Sequence, residues 1–261
     1  MSTANLIIET RNNVLLMGLN RPEKRNALTV EMFYGLAEAY AELDRNPELR
    51  CGLLYAVGDH FTGGLDLPQW GPLLASGKRD LPEGMLDPYG LDPSSRCKKP
   101  VVMAVQGICF TFGVELLLAS DIRIAAKDVR LALLEVKRGI FPCGGATIRL
   151  FREIGWGHAM RYILTGDELN GPEAYRLGLV QELVEPGQQF DRAWEIAQKV
   201  ALAAPLGVQA ALASSRKARD FGDAAAGATV RAEMIPIKAS QDSNEGLQAF
   251  LERREPKFSG K

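Results

Sequence analysis

Two glutamates in this chain of 261 residues stand where a charge is expensive. Glu115 lies inside GICFTFGVELLLASD (107–121) and Glu135 inside LALLEVKRGIFP (131–142), both otherwise largely apolar. A carboxylate buried without partners raises its pKa, finds a donor or turns to water. Two such groups suit general acid–base chemistry, one carboxyl taking a proton and the other delivering one. A plainer account has Glu115 facing solvent from a helix and Glu135 pairing with Lys137 or Arg138. Two further features favour chemistry. HFTGGLDL (60–67) sets a Gly-Gly turn after a strand-like run, where the backbone can approach a ligand and aim N–H groups into a cleft. Gly113, near the start of the Glu115 helix, marks a second set of unpaired N–H groups. Glycine turns and helix starts are common singly. Beside paired carboxylates they describe a site for acyl-type chemistry, with two amides from separate segments holding one oxyanion.

The elements that would carry these groups follow an α/β grammar. LIIET and VLLMGL flank RNN, a hairpin turn, and Thr29 caps an amphipathic helix over VEMFYGLAEAYAELDRN. CGLLYAV, VVMAV and DIRIAA read as strands, with the Glu115 segment a helix of about three turns between the last two. Residues 129–136 fit either a strand or a short helix. Residues 67–99 hold five prolines and four glycines with little apolar period, so they are expected to form a long loop acting as a lid or pocket wall. From 144 onward the pattern is helical, with QELVE a last strand and breaks at Pro205 and Gly222. The expected organisation is a βα core over residues 1–200 and a helical region over 201–261.

Composition narrows the function. A formal net charge of -1 offers no basic field for nucleic acid. No apolar run reaches the ~20 residues of a spanning helix, and no leader peptide is expected. Cys51, Cys97, Cys109 and Cys143 show no CxxC spacing, and His60 and His158 make no metal cluster, so neither a disulfide framework nor a metal site is expected. A nucleophilic Cys109 or Cys143 lacks a paired base. The default compartment is the cytoplasm.

Five stretches, in order, resemble the enoyl-CoA hydratase/isomerase family, the crotonase superfamily: NRPEKRNAL (20–28), HFTGGLDL, VQGICFTFGVELLLASDIRIAA, LEVKRGIFPCGGATIRL and TGDELNGPEAYRLGLVQELV. The resemblance covers nearly the whole chain. It implies a crotonase-like spiral of ββα turns with a C-terminal helical trimerisation region, and a homotrimer often paired into a hexamer. It implies an acyl-CoA substrate whose coenzyme A needs no separate cofactor, and neither a nucleic-acid nor a membrane partner. The thioester oxygen would sit between the amides of Leu65 and Phe112, with Glu115 and Glu135 flanking the alkene and Gly139 four residues after the second glutamate. Glu135 would deliver the proton to the α-carbon and Glu115 would orient and activate water. Lys24, Arg25 and Ala27 would meet coenzyme A, with Gly63, Asp66 and Leu67 beside its adenine and pantetheine. Lys24 and Arg25 also read as a solvated charge run, and Asp66 as a helix cap.

Departures from the family pattern carry information. Thr111-Phe112-Gly113 replaces three glycines, keeping an amide at 112 but adding a ring that, with the 67–99 segment, is expected to shape acyl preference or else to point into the core. Gly63 stands where an alanine is usual, Gln106 precedes Gly107, and Leu134 replaces a proline. Hydration of a 2-enoyl-CoA leads. An isomerase, hydrolase or decarboxylase of the same superfamily is the nearest alternative, and a non-catalytic acyl-CoA- or RNA-binding protein on this fold is the alternative from another class. A serine-peptidase-like hydrolase lacks a Ser/His pairing.

Overall fold

A computed structural model describes residues 4–77 and 81–261. The expected hairpin opens the chain: β1 (Leu6–Arg11) and β2 (Val14–Leu19) pair antiparallel, with Arg11 opposite Val14. Asn12 and Asn13 turn it at φ 47° and 62°, left-handed values that asparagine tolerates. α1 (Val30–Arg45) begins where Thr29 Oγ1 accepts the Met32 N–H at 3.1 Å, and it leads into β3 (Cys51–Ala56), parallel to β2. Then follow α2 (Leu67–Ser76), β4 (Val101–Val105), β5 (Ile108–Phe110), α3 (Phe112–Ala119), β6 (Ile122–Ala126) and β7 (Arg130–Ala132). The second half holds α4 (Ala146–Ile154), α5 (Trp156–Thr165), β8 (Leu169–Asn170), α6 (Gly171–Arg176), β9 (Glu182–Val184) and α7 (Gln189–Leu202). The chain ends in α8 (Pro205–Phe221), α9 (Asp223–Gly227), α10 (Val230–Lys238) and α11 (Gln241–Glu252).

Successive turns of chain feed two sheets. The larger has the order β1-β2-β3-β4-β6-β9 and is parallel after its first pair; the smaller has the order β5-β7-β8. Bridges at Thr62–Cys109 and Leu28–Leu65 extend the same pairing back into the earlier turns. This is the (ββα) spiral that the resemblance implies. The strands read as unbroken apolar runs because both faces are covered. Leu15, Met17 and Leu19 face the central core with α1, while Val14 and Leu16 join Leu53, Val102 and Ile124 beneath α7. Ala193, Ala197 and Ala201, spaced four apart on α7, bring that helix close to the sheet.

Four expectations change. Residues 67–76 are helical rather than loop: Pro68 falls in the first turn, where it costs no hydrogen bond, and buried Trp70 anchors the helix by donating Nε1–H to the Leu28 carbonyl at 2.9 Å. The rest of that stretch is irregular apart from a 3-10 turn at Pro93–Ser95, and residues 78–80 lie outside the described residues. The Glu115 helix has eight residues, not three turns, because β5 takes Ile108–Phe110 first. The ambiguous 129–136 segment is both things in succession, β7 and then a 3-10 turn over Glu135–Arg138. DAAAGATVRAEM divides into α9 and α10.

The final helices are tied to the core by charge. Arg216 pairs with Asp121 at 3.0 Å and Arg96 with Asp220 at 2.7 Å. Among the described residues no single helix is long and apolar enough to cross a membrane; α7 and α8 reach that composition only together, across a 107° bend.

Asn26, fully buried, locks the 20–28 loop. Its Nδ2 donates to the carbonyls of Val57 (2.9 Å) and His60 (2.8 Å), and its Oδ1 accepts the Arg21 N–H at 2.7 Å. Replacing it with alanine leaves three partly buried backbone groups without this partner. Asn26→Ala is expected to lose about 2–4 kcal/mol in urea unfolding.

Candidate active site

A cavity of about 350 Å³ opens between α2, the start of α3 and the 134–143 segment. Its walls include Leu65, Phe112, Glu115 and Glu135, so all four residues expected to do chemistry border one hollow. Leu67, Trp70, Leu73 and Leu74 from α2 make one side apolar.

The 60–66 turn is held by the loop before it. Gly63 N–H donates to the Arg25 carbonyl at 2.8 Å, Gly64 N–H to Thr62 Oγ1 at 3.1 Å, and Asp66 N–H to the Leu28 carbonyl at 2.9 Å. Among the described residues the Leu65 N–H between them has no acceptor. Phe112 opens α3, so its N–H has no partner within the helix. Thr111, between β5 and α3, takes φ 48° and ψ -109°, a conformation that glycine adopts more easily. Its hydroxyl lies against Gly64, where an added Cβ would collide, and so the two amide-bearing segments touch.

The carboxyls sit in contrasting surroundings. Glu115 is 4% exposed, and its Oε1 accepts the N–H groups of Gly144 (2.6 Å) and Ala146 (3.3 Å), at the start of α4. A helix N-terminus favours negative charge there. Glu135 is 8% exposed, opens the 3-10 turn that Gly139 closes at φ 76°, and has no partner for Oε2 among the described residues. Burial pushes its pKa up, opposed by its own backbone N–H and the nearby Arg138 charge.

The residues expected at coenzyme A divide. Gly63 and Leu67 border the cavity, while Lys24, Arg25 and Ala27 lie outside its lining. Lys24 and Arg25 are exposed, and Arg25 meets the site through its carbonyl on Gly63. Asp66 occupies the N-cap position of α2 but makes no cap bond. Its carboxylate pairs with Arg21 at 2.7 Å, and Arg21 also donates to the Ala27 carbonyl at 3.0 Å. Phe112, 1% exposed, borders the cavity and also joins the core, its ring edge-on to Tyr89 and Phe33 at 5.4 and 6.5 Å. His60 accepts the Ile108 N–H on Nδ1 at 3.3 Å. Cys109 is buried and burial pushes its thiol up, which removes it as a nucleophile; Cys143 borders the cavity. Among the described residues no group of His, Cys, Asp and Glu could hold a metal ion.

Sequence reasoning missed Tyr89, Arg21 and the Gly144–Ala146 amides. The Gly-Gly at 144–145 was the available signal for the last of these, since a helix start after glycines exposes donors.

The raised pKa of Glu135 has a consequence for stability. Above the ordinary glutamate range the unfolded chain has already released this proton while the native chain still holds it, so stability falls as pH climbs toward the raised value. Glu135→Gln should therefore gain stability relative to the unaltered chain on going from acid to neutral pH, read by urea unfolding at several pH values. An unchanged difference would contradict the burial argument.

The sequence and fold have close counterparts. Residues 9–261 match the model of the enoyl-CoA hydratase/isomerase family. An enoyl-CoA hydratase of Mycobacterium tuberculosis is 32% identical, covering 98% of this chain and 96% of that protein. The (E)-benzylidenesuccinyl-CoA hydratase of Thauera aromatica is 33% identical over 97% of this chain and 98% of its own. A solved structure of a probable enoyl-CoA hydratase/isomerase from Mycobacterium abscessus superposes with a TM-score of 0.94 at 44% identity, covering 98% of this chain and 99% of that one. With its spiral fold and a match over nearly its full length, the chain belongs to the enoyl-CoA hydratase/isomerase family of enzymes.

Proposed function

We propose that this enzyme adds water across the 2,3 double bond of a 2-enoyl-CoA thioester. The observation that carries the reading is the meeting, in one cavity, of two buried carboxyls in unlike environments with two unengaged backbone amides. The Leu65 and Phe112 N–H groups receive the thioester oxygen and stabilise the enolate that forms as water attacks. Glu115, satisfied by backbone donors on Oε1, orients the water and takes its proton as the oxygen bonds to the β-carbon. Glu135, whose burial favours the protonated form, delivers a proton to the α-carbon.

The exposed cations Lys24 and Arg25 suit the phosphates of coenzyme A beside Gly63, with Ala27, Asp66 and Leu67 completing that side; no further cofactor is invoked. The reading includes a cytoplasmic enzyme, a core over residues 1–200 and an oligomerising helical region over 201–261. Met234, Ile235, Phe250 and Leu251 are exposed on α10 and α11, apolar area that further copies in a trimer or hexamer would cover.

Glu115→Gln and Glu135→Gln are each expected to slow crotonyl-CoA hydration by about 10²–10⁴-fold, followed by loss of the enone absorbance. As the acid, Glu135 must be protonated, so the rate should fall as pH rises through its raised value. That limb should vanish in Glu135→Gln. Full activity in both variants would remove the two-carboxyl mechanism, and double-bond migration without hydration would favour the isomerase. A Cβ on Gly144 would lie 2.6 Å from Glu115 Oε2 and from the Tyr89 ring. Gly144→Ala should therefore lower kcat by about 100-fold in folded protein.

A further inference from the structure

We propose that a small hollow behind Tyr89 binds one monovalent anion of chloride size, held by the Arg149 guanidinium. The hollow lies between the 87–97 segment, α4 and α8 and has a volume of about 20 Å³, room for a single water-sized occupant. Five cationic side chains border it, Arg96, Lys99, Arg149, Arg216 and Arg219, against one carboxylate, Asp87.

Most of these cations have partners elsewhere. Arg96 pairs with Asp220 at 2.7 Å, Arg219 with the same carboxylate at 3.0 Å, Arg216 with Asp121 at 3.0 Å, and Lys99 donates to the Asn46 carbonyl at 2.6 Å. Arg149 differs. It is 9% exposed, its Nη2 donates to the Gly90 carbonyl at 3.0 Å, and its Nη1 has no acceptor among the described residues. Burial, with the like charges of Arg219 and Arg96, outweighs the nearby carboxylates of Asp87 and Asp220 and pushes its pKa down to about 10, so it stays cationic at neutral pH. A buried N–H group of a cation left without an acceptor, as at Nη1, is costly. An anion in the hollow supplies both the acceptor and the compensating charge. A neutral water would supply only the first, and phosphate or sulfate is too large for the space.

The site lies one layer behind the catalytic wall. Arg149 is on α4, whose first amides hold Glu115, and Tyr89 borders both the hollow and the larger cavity. An occupied site braces α4 against the 87–97 segment.

The test uses the full chain in sodium gluconate exchanged for sodium chloride or bromide at constant ionic strength. A saturable Tm rise of about 2–4 °C is expected with either halide and should be lost in Arg149→Gln. Crystals grown in bromide should show an anomalous peak within hydrogen-bond distance of Arg149 Nη1, a readout that needs no variant to fold. Equal Tm in gluconate and halide, a halide shift that survives in Arg149→Gln, or water alone at Nη1 in the bromide crystals would overturn the proposal.

Discussion

The Glu115 carboxylate seated on the first amides of α4 is the contact on which the site depends. It joins segments separated by about thirty residues, the β5–α3 corner and the helix after the second glutamate. Without those donors, a carboxylate inside an apolar helix would carry the full cost of desolvation. With them, the charge becomes a tie between two layers of the spiral. Gly144 makes the approach possible, because any side chain there would meet both the carboxylate and the Tyr89 ring.

Around that tie the fold gives two chemically identical side chains different environments. Glu115 reaches a helix N-terminus, whereas Glu135 opens a tight 3-10 turn whose far end turns back at Gly139, leaving one oxygen without a donor. The two carboxyls are thus distinguished by backbone placement rather than by residue type. The amides follow the same logic. The Leu65 N–H is left over because the surrounding turn uses its other donors to hold itself together, with Asn26 at the centre of that network, and the Phe112 N–H because it opens α3.

Much of this was legible in the chain. The parallel strands announced themselves as apolar runs, and the glutamates were conspicuous because their neighbours were not polar. The Gly-Gly turn and Gly113, two residues before Glu115, marked two segments that border the cavity. What could not be read depended on distant partners. α2 was hidden by its prolines, since only the burial of Trp70 against the Leu28 carbonyl makes the helix worth forming. Asp66 reads as a cap until Arg21 claims it, and Tyr89, in a segment without periodicity, gave no local sign of reaching the site. Arg149 looks like one more basic residue on an amphipathic helix.

Thr111 carries a wider implication. A β-branched residue held at positive φ, with its hydroxyl against Gly64, couples the corner before α3 to the turn before α2. The two amide-bearing segments are thereby held in direct contact. On the proposed reading, variation in the acyl group falls to the apolar flank of α2 and to the exposed Ile140 and Phe141 that border the same cavity. On that reading, acyl selectivity and the electrostatics of the site rest on different segments of the chain.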